Sequence, residues 1–179
     1  MRIVGGKYKG RIFNPGKSFD ARPTTDIAKE SLFNILTNRV DFEEVKVLDL
    51  FSGTGSIAYE FLSRGTTDIT LIELQFKHVQ FIKTVINALG EKAKVYRSDV
   101  FRFIKQEKNS YDLIFADPPY DHPQLGELPD LILKGSLLNK NGLLIVEHPA
   151  NYQFNKVEGF VELRKYGKVH FSFFEKQQE

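Results

Sequence analysis

A chain of 179 residues, 41% hydrophobic and 27% charged, is long enough for one domain with a sizeable core and has the composition of an ordinary globular protein. It contains no cysteine, which excludes disulfides and cysteine-ligated metals; no apolar stretch is long enough to span a membrane, and the amino terminus lacks the apolar core of a signal peptide, so a cytoplasmic location is expected. The net charge is only +2, but residues 1–22 carry Arg2, Lys7, Lys9, Arg11, Lys17 and Arg22 against the single acid Asp20.

Arg2-Ile3-Val4, Gly5-Gly6 and Arg11-Ile12-Phe13 predict a small hairpin or extended arm, broken at Pro15-Gly16. A basic arm with Tyr8 and Phe13 among its charges fits nucleic-acid binding, and from charge alone it fits a solvated surface hairpin equally well. We take 1–22 as this arm and 23–179 as the main domain. Thr24 to Asp26 opens a helix with Ala28, Leu32, Ile35 and Leu36 on one face. Strands and helices then alternate: strand 45–51, helix 56–64, strand 68–73, helix 76–89, strand 93–97, short helix 100–106, strand 111–116, a loop with a helix near 128–134, and strand 142–147. This alternation predicts an α/β fold with a mostly parallel sheet covered on both faces. The tail differs: 160–166 and 168–174 around Gly167 read as a hairpin, with Val169, Phe171 and Phe173 alternating against Lys168, His170 and Ser172. Its aromatic residues are expected in the core.

Two segments carry the chemistry. Leu48-Asp49-Leu50-Phe51-Ser52-Gly53-Thr54-Gly55-Ser56 joins the first parallel strand to its helix, and its glycines let backbone approach a ligand closely. It is not a phosphate-binding P-loop, because no Lys-Ser/Thr pair follows; with Ala58 in place of a third glycine it does not by itself exclude NAD. Glu73 ends the next strand 20 residues past Gly53, a position suited to a ribose diol, and Asp99, at the end of the third strand, suits an adenine amino group. Either acid alone could be a solvated strand-end carboxylate; together on successive strand ends they favour a nucleoside ligand. Asp117-Pro118-Pro119-Tyr120 follows the buried run Leu113-Ile114-Phe115-Ala116, at the sheet edge where ligands of open α/β sheets bind. These four side chains suit methylation of a planar amino group. Read alone the segment is also a plain strand-ending turn; the glycine loop at the matching distance disfavours that reading.

Val47 to Gly55 resembles motif I of the S-adenosylmethionine-dependent methyltransferases, and Asp117-Pro118-Pro119-Tyr120 resembles their motif IV in the form used for exocyclic amino groups. Arg2-Ile3-Val4-Gly5-Gly6, Gly10-Arg11 and Arg22-Pro23-Thr24-Thr25-Asp26 narrow the resemblance to the RsmD family, the 16S ribosomal RNA guanine-N2 methyltransferases, over nearly the whole chain. The resemblance implies the Rossmann-like methyltransferase fold, with a seven-stranded sheet whose antiparallel strand comes from the tail hairpin. It further implies S-adenosylmethionine as cofactor and small-subunit ribosomal RNA, in an assembled or assembling particle, as partner. The expected cofactor residues are Asp49, Phe51, Gly53, Gly55, Glu73, Asp99 and Thr24, with Thr24 and Thr25 alternatively serving only as helix caps. Arg2, Lys7, Lys9, Arg11 and Arg22 are the expected phosphate contacts.

A guanine or adenine amino nitrogen is a poor nucleophile because its lone pair is delocalised into the ring. Asp117 and the Pro118 carbonyl can each accept one amino hydrogen, turning the lone pair out of plane and stabilising the positive charge that moves onto nitrogen. Pro118 and Pro119 stiffen the turn, and Tyr120 can stack on the base. His122 and His148 lie near the same sheet edge but no base of this kind is required, so they read mainly as loop and strand-end residues; His78 and His170 read as surface residues. The four histidines show no metal-ligand spacing, and no metal is expected. The alternatives are an adenine-N6 methyltransferase acting on DNA or RNA, disfavoured for DNA by the lack of a target-recognition domain; a protein-glutamine methyltransferase; and a non-catalytic RNA-binding assembly factor that keeps the fold. A monomer is the simplest assembly to expect.

Overall fold

The computed structural model of the chain describes residues 1–16 and 25–177. Lys17, Arg22 and Thr24 lie outside them. After the arm come α1 (Asp26–Leu36), β1 (Lys46–Leu50), α2 (Ser56–Ser63), β2 (Asp68–Glu73), α3 (Phe76–Leu89), β3 (Lys94–Arg97), α4 (Val100–Gln106) and β4 (Tyr111–Ala116). A single 3-10 turn (Leu125–Glu127) leads into α5 (Leu128–Lys134), and β5 (Leu138–His148), β6 (Phe160–Tyr166) and β7 (Val169–Glu175) complete the chain.

The seven strands form one sheet in the order β3-β2-β1-β4-β5-β7-β6. Six run in one direction, and β7 enters antiparallel between β5 and β6. The chain builds β1, β2 and β3 outward on one side and then returns to lay β4 against β1, so the order reverses between β1 and β4. Loops leaving two such strands diverge to opposite faces and open a crevice at their carboxyl ends. The register fixes its base: Leu50 is opposite Ala116, and the Asp117 amide donates to the Leu50 carbonyl at 3.3 Å.

Both faces of the sheet are buried, which is why β1 and β4 read as near-continuous apolar runs. One face carries Val47, Leu71, Phe115, Phe171 and Phe173 against Leu32, Phe33, Phe61 and Ile82. The other carries Leu48, Leu50, Ile114 and Phe174 against Phe101, Leu128, Ile132 and Phe154. The tail aromatics are core, as expected. His170 is not a surface residue: β7 is an internal strand, so His170 and Ser172 are buried on the face opposite Phe171. His78 is buried as well, in the first turn of α3 beside Glu73.

The α1 face also differs from its periodic reading. Ile35 is only half-buried, while Phe33 and Lys29 are buried. Lys29 is covered because the arm lies over it. Ile3 and Val4 are buried, Gly10 N–H donates to the Ile3 carbonyl at 2.9 Å, and Lys7 N–H donates to the Ser63 carbonyl at 2.7 Å. Gly6 has φ 72°, and a Cβ there would lie 2.0 Å from the Ser63 oxygen, so only glycine permits this approach. Beneath the arm the Lys29 ammonium reaches the Arg2 carbonyl at 2.5 Å and Glu60 Oε1 at 3.3 Å. Glu60 Oε1 accepts from Val4 N–H at 2.7 Å and Glu60 Oε2 accepts from Arg64 at 2.5 Å.

Among the described residues no helix is long and apolar enough to cross a membrane.

Candidate active site

The carboxyl ends of β1, β2, β4 and β5 and the turn between β6 and β7 surround a cavity of about 940 Å³, a size that suits a nucleoside-like cofactor with part of an acceptor. Its wall runs in sheet order. Gly53, Glu73, His78 and Asp99 lie towards β2; Phe51 and Asp117 to Tyr120 lie at the β1/β4 reversal; Glu147 and then Tyr166 to Val169 lie towards β7.

The glycine loop holds three successive left-handed bends, at Phe51 (φ 58°), Gly53 (φ 54°) and Gly55 (φ 83°). A Cβ at Gly55 would lie 2.6 Å from the Tyr59 hydroxyl, which itself donates to the Thr54 carbonyl at 2.7 Å. Gly55 is therefore buried packing behind the loop and is not part of the cavity wall. Gly53 is part of it, and no atom lies within 4 Å of where its Cβ would stand, which leaves the backbone open to a ligand. Asp49 is likewise placed behind the wall and not on it. It is buried, its Oδ2 has no hydrogen-bond partner among the described residues, and burial pushes its carboxyl up to about 8, so it is largely protonated at neutral pH.

Glu73 serves the loop and the cavity together. Its Oε2 accepts from Gly53 N–H and its Oε1 from Gln75 N–H, both at 2.8 Å, leaving each oxygen a second acceptor position. His78 Nδ1 lies 3.5 Å from Glu73 Oε1 and completes this corner. Asp99 stands two residues beyond the end of β3, caps α4 by accepting from Arg102 N–H at 2.8 Å, and is exposed to the cavity. Thr25 caps α1 through its hydroxyl, at 3.2 Å from Ala28 N–H, and also lines the cavity. The open glycine backbone and the paired strand-end acids fit S-adenosylmethionine, with apolar Leu74 and Ile27 exposed on the same wall.

At the acceptor end Asp117 is half-buried beneath the turn. The protein packed around its carboxyl, and then the nearby Glu147 and Asp49, hold its pKa well above the usual carboxylate range. The Pro119 carbonyl accepts from His122 N–H at 2.9 Å, whereas among the described residues no backbone N–H reaches the Pro118 carbonyl. Pro118 is itself a buried residue and also lines the cavity. Tyr120 is tied down by its hydroxyl, which donates to Glu147 Oε1 at 3.1 Å. His122 lies flat against Phe101, with ring centres 4.9 Å apart, and faces Phe51 edge-on. It is in the wall, a placement its loop position did not indicate. His148 is buried away from the cavity, bonded to Ser172 Oγ at 2.7 Å.

Glu147, His78, Leu74, Ile27 and Tyr166 to Val169 were not among the expected site residues. Glu147 and Leu74 were detectable in principle, since each sits at or just past a strand end on the ligand edge. Ile27 stood off the apolar face of α1.

The family model described as "Conserved hypothetical protein 95" matches residues 1–175. The Ribosomal RNA small subunit methyltransferase D of Escherichia coli K12 is 33% identical over 178 residues, covering 93% of this chain and 89% of that one. The chain belongs to the RsmD family. A solved structure of a hypothetical protein from Thermus thermophilus matches this RsmD-family chain at TM-score 0.85 and 27% identity, covering 98% of this chain and 99% of that one. The Thermus thermophilus 16S rRNA N2 G1207 methyltransferase RsmC, solved with AdoMet and guanosine, shares the fold at TM-score 0.68 and 21% identity, covering 88% of this chain and 45% of that one.

Proposed function

We propose that this chain transfers the methyl group of S-adenosylmethionine to the exocyclic N2 amine of a guanine in small-subunit ribosomal RNA. Methyl transfer to ribosomal RNA follows from membership of the RsmD family; the finer assignment rests on the site. The observation that carries it is the pairing, across the β1/β4 reversal, of an open glycine loop with Asp117 and a Pro118 carbonyl free of backbone donors. The cofactor supplies, when bound, a methyl group on a positively charged sulfonium. The protein's part is alignment and charge stabilisation. Asp117 and the Pro118 carbonyl accept the two amino hydrogens, so the nitrogen lone pair turns out of the ring and the charge developing on nitrogen meets a carboxylate. The proline pair fixes both acceptors before the base arrives. Tyr120, anchored on Glu147, and His122, backed by Phe101, flank the place where the base enters. We further read the substrate as an assembled or assembling subunit, the enzyme as a cytoplasmic monomer, and the arm as a phosphate-contacting segment.

The deciding experiment incubates the protein with labelled S-adenosylmethionine and small subunits lacking the modification, then identifies the nucleosides. N2-methylguanosine is expected. Methyladenosine would move the acceptor to adenine, and label absent from RNA would refute the reading.

Two variants separate cofactor from RNA. Glu73→Gln replaces one acceptor oxygen by a donor facing other donors, and is expected to weaken S-adenosylmethionine binding by roughly 10-fold or more in a calorimetric titration. An unaltered affinity would remove Glu73 from the cofactor site. In the arm, Lys7 pairs with Glu91 at 2.6 Å, Arg11 lies 5.1 Å over the Tyr8 ring and Lys9 is exposed. Replacing Lys7, Lys9 and Arg11 by alanine should weaken RNA binding and flatten its log–log salt dependence by roughly 2, with cofactor affinity unchanged.

A further inference from the structure

The charges around the cavity do not match the charge of the proposed substrate. Its wall carries the carboxyl side chains of Glu73, Asp99, Asp117 and Glu147. Acids suit a cationic cofactor, but they repel the phosphates that accompany any nucleotide brought to Asp117. Apart from His78 and His122, the wall has a single basic residue among the described ones, Lys168.

Lys168 follows Gly167 in the turn that joins β6 to β7. Because β7 runs antiparallel to β5, pairing His148 with His170, this turn projects past the same carboxyl edge as Asp117 and Glu147. It is firmly seated on one side, where the Tyr166 ring packs on Phe171 with centres 6.0 Å apart. On the other it is open: Lys168 is exposed, and nothing lies within 4 Å of where a Gly167 Cβ would stand. The neighbouring Arg164 is matched by Glu162 at 2.5 Å, whereas no carboxylate among the described residues lies within ion-pair distance of Lys168.

We infer that Lys168 binds a backbone phosphate of the RNA at the acceptor end of the cavity and so positions the target nucleotide over Asp117. This rests on the reading of the chain as an RNA methyltransferase. Sheet order separates the role from cofactor binding. From β2, which ends in Glu73, to β7 the sheet counts four strand spacings, roughly 19 Å, about twice the distance over which salt screens a charge in physiological buffer. Lys168 therefore acts on the acceptor and hardly on the cofactor.

The test compares wild type, Lys168→Ala and Lys168→Arg on small subunits lacking the modification, measuring kcat and KM at several salt concentrations and cofactor affinity by calorimetry. Lys168→Ala is expected to lower kcat/KM roughly 10-fold, mainly through KM, and to reduce the log–log salt slope by roughly 0.7 to 0.9, the share of one phosphate. Cofactor affinity should match wild type, and Lys168→Arg should restore both KM and slope. A Lys168→Ala enzyme with unchanged KM and slope, beside an active wild type, overturns the phosphate contact and leaves the proposed reaction standing. An arginine variant as impaired as the alanine one also overturns it, since a phosphate contact depends on charge. If the wild type itself transfers no methyl to RNA, the reaction and the role of Lys168 fall together.

Discussion

Asp117→Ala is expected to lower kcat for methyl transfer by roughly 10²- to 10³-fold, the usual effect of removing one preorganised group that meets developing charge. Cofactor affinity should stay close to wild type. Asp117 lies across the β1/β4 reversal from the Glu73 corner of the cavity, so deleting it leaves the contacts expected of the cofactor in place. Asp117→Asn gives a sharper test, because it keeps one acceptor oxygen but cannot ionise. The protonated acid carries no negative charge to meet the charge developing on nitrogen, so wild-type kcat/KM should rise with pH above the ordinary carboxylate range as Asp117 ionises. The asparagine enzyme should lose that limb of the profile. An alanine variant that melts normally and turns over at the wild-type rate would show that Asp117 is not the acceptor.

The second large effect belongs to stability. Glu60 is fully buried, compensated by the Lys29 ammonium, the Arg64 guanidinium and the Val4 amide. Glu60→Ala strands the buried Lys29 charge and leaves the Val4 amide without its acceptor. A loss of about 3–5 kcal/mol is expected from breaking one side of such a pair, a fall in Tm on the order of 10 °C for a domain of this size. Urea unfolding would measure it. The arm should loosen first, seen as faster hydrogen exchange at Val4 and earlier proteolysis within residues 1–13. A variant as stable as wild type would mean that apolar burial of Ile3 and Val4 alone holds the arm.

The parts of this fold legible in the sequence were those where a buried run is bounded by turn residues. The strand 68–73 and the helices 76–89 and 100–106 have the bounds that periodicity predicts. β5 begins four residues before its apolar run, because Leu138 already pairs with Tyr111 while Asn139-Lys140-Asn141 looks like a loop. Lys29 and Glu60 were not legible as core, since charged side chains are normally solvated. What buries them is the arm, whose Arg2 lies 27 residues from Lys29 and whose Val4 lies 56 from Glu60. Within the site, the residues at strand ends could be read, because topology alone sends them to one edge. The cavity membership of His78, His122 and Lys168 could not, as it depends on how separate elements meet. Asp49 and Gly55 show the converse: both belong to a recognisable loop segment, and both build that loop from behind.

The reversal of strand order has a consequence for how the enzyme matures. As the chain is made from its amino end, the glycine loop, Glu73 and Asp99 are complete well before Asp117, Glu147 and the β6–β7 turn exist. The edge of β1 that pairs with β4 is bare until then, so the floor of the cavity cannot form. Because the antiparallel strand follows β4 and β5 in the chain and supplies Val169 to the wall, closure waits until β7 has joined them. A nascent chain that stops short of β4 thus holds the glycine loop and the strand-end acids without the Asp117 side of the cavity.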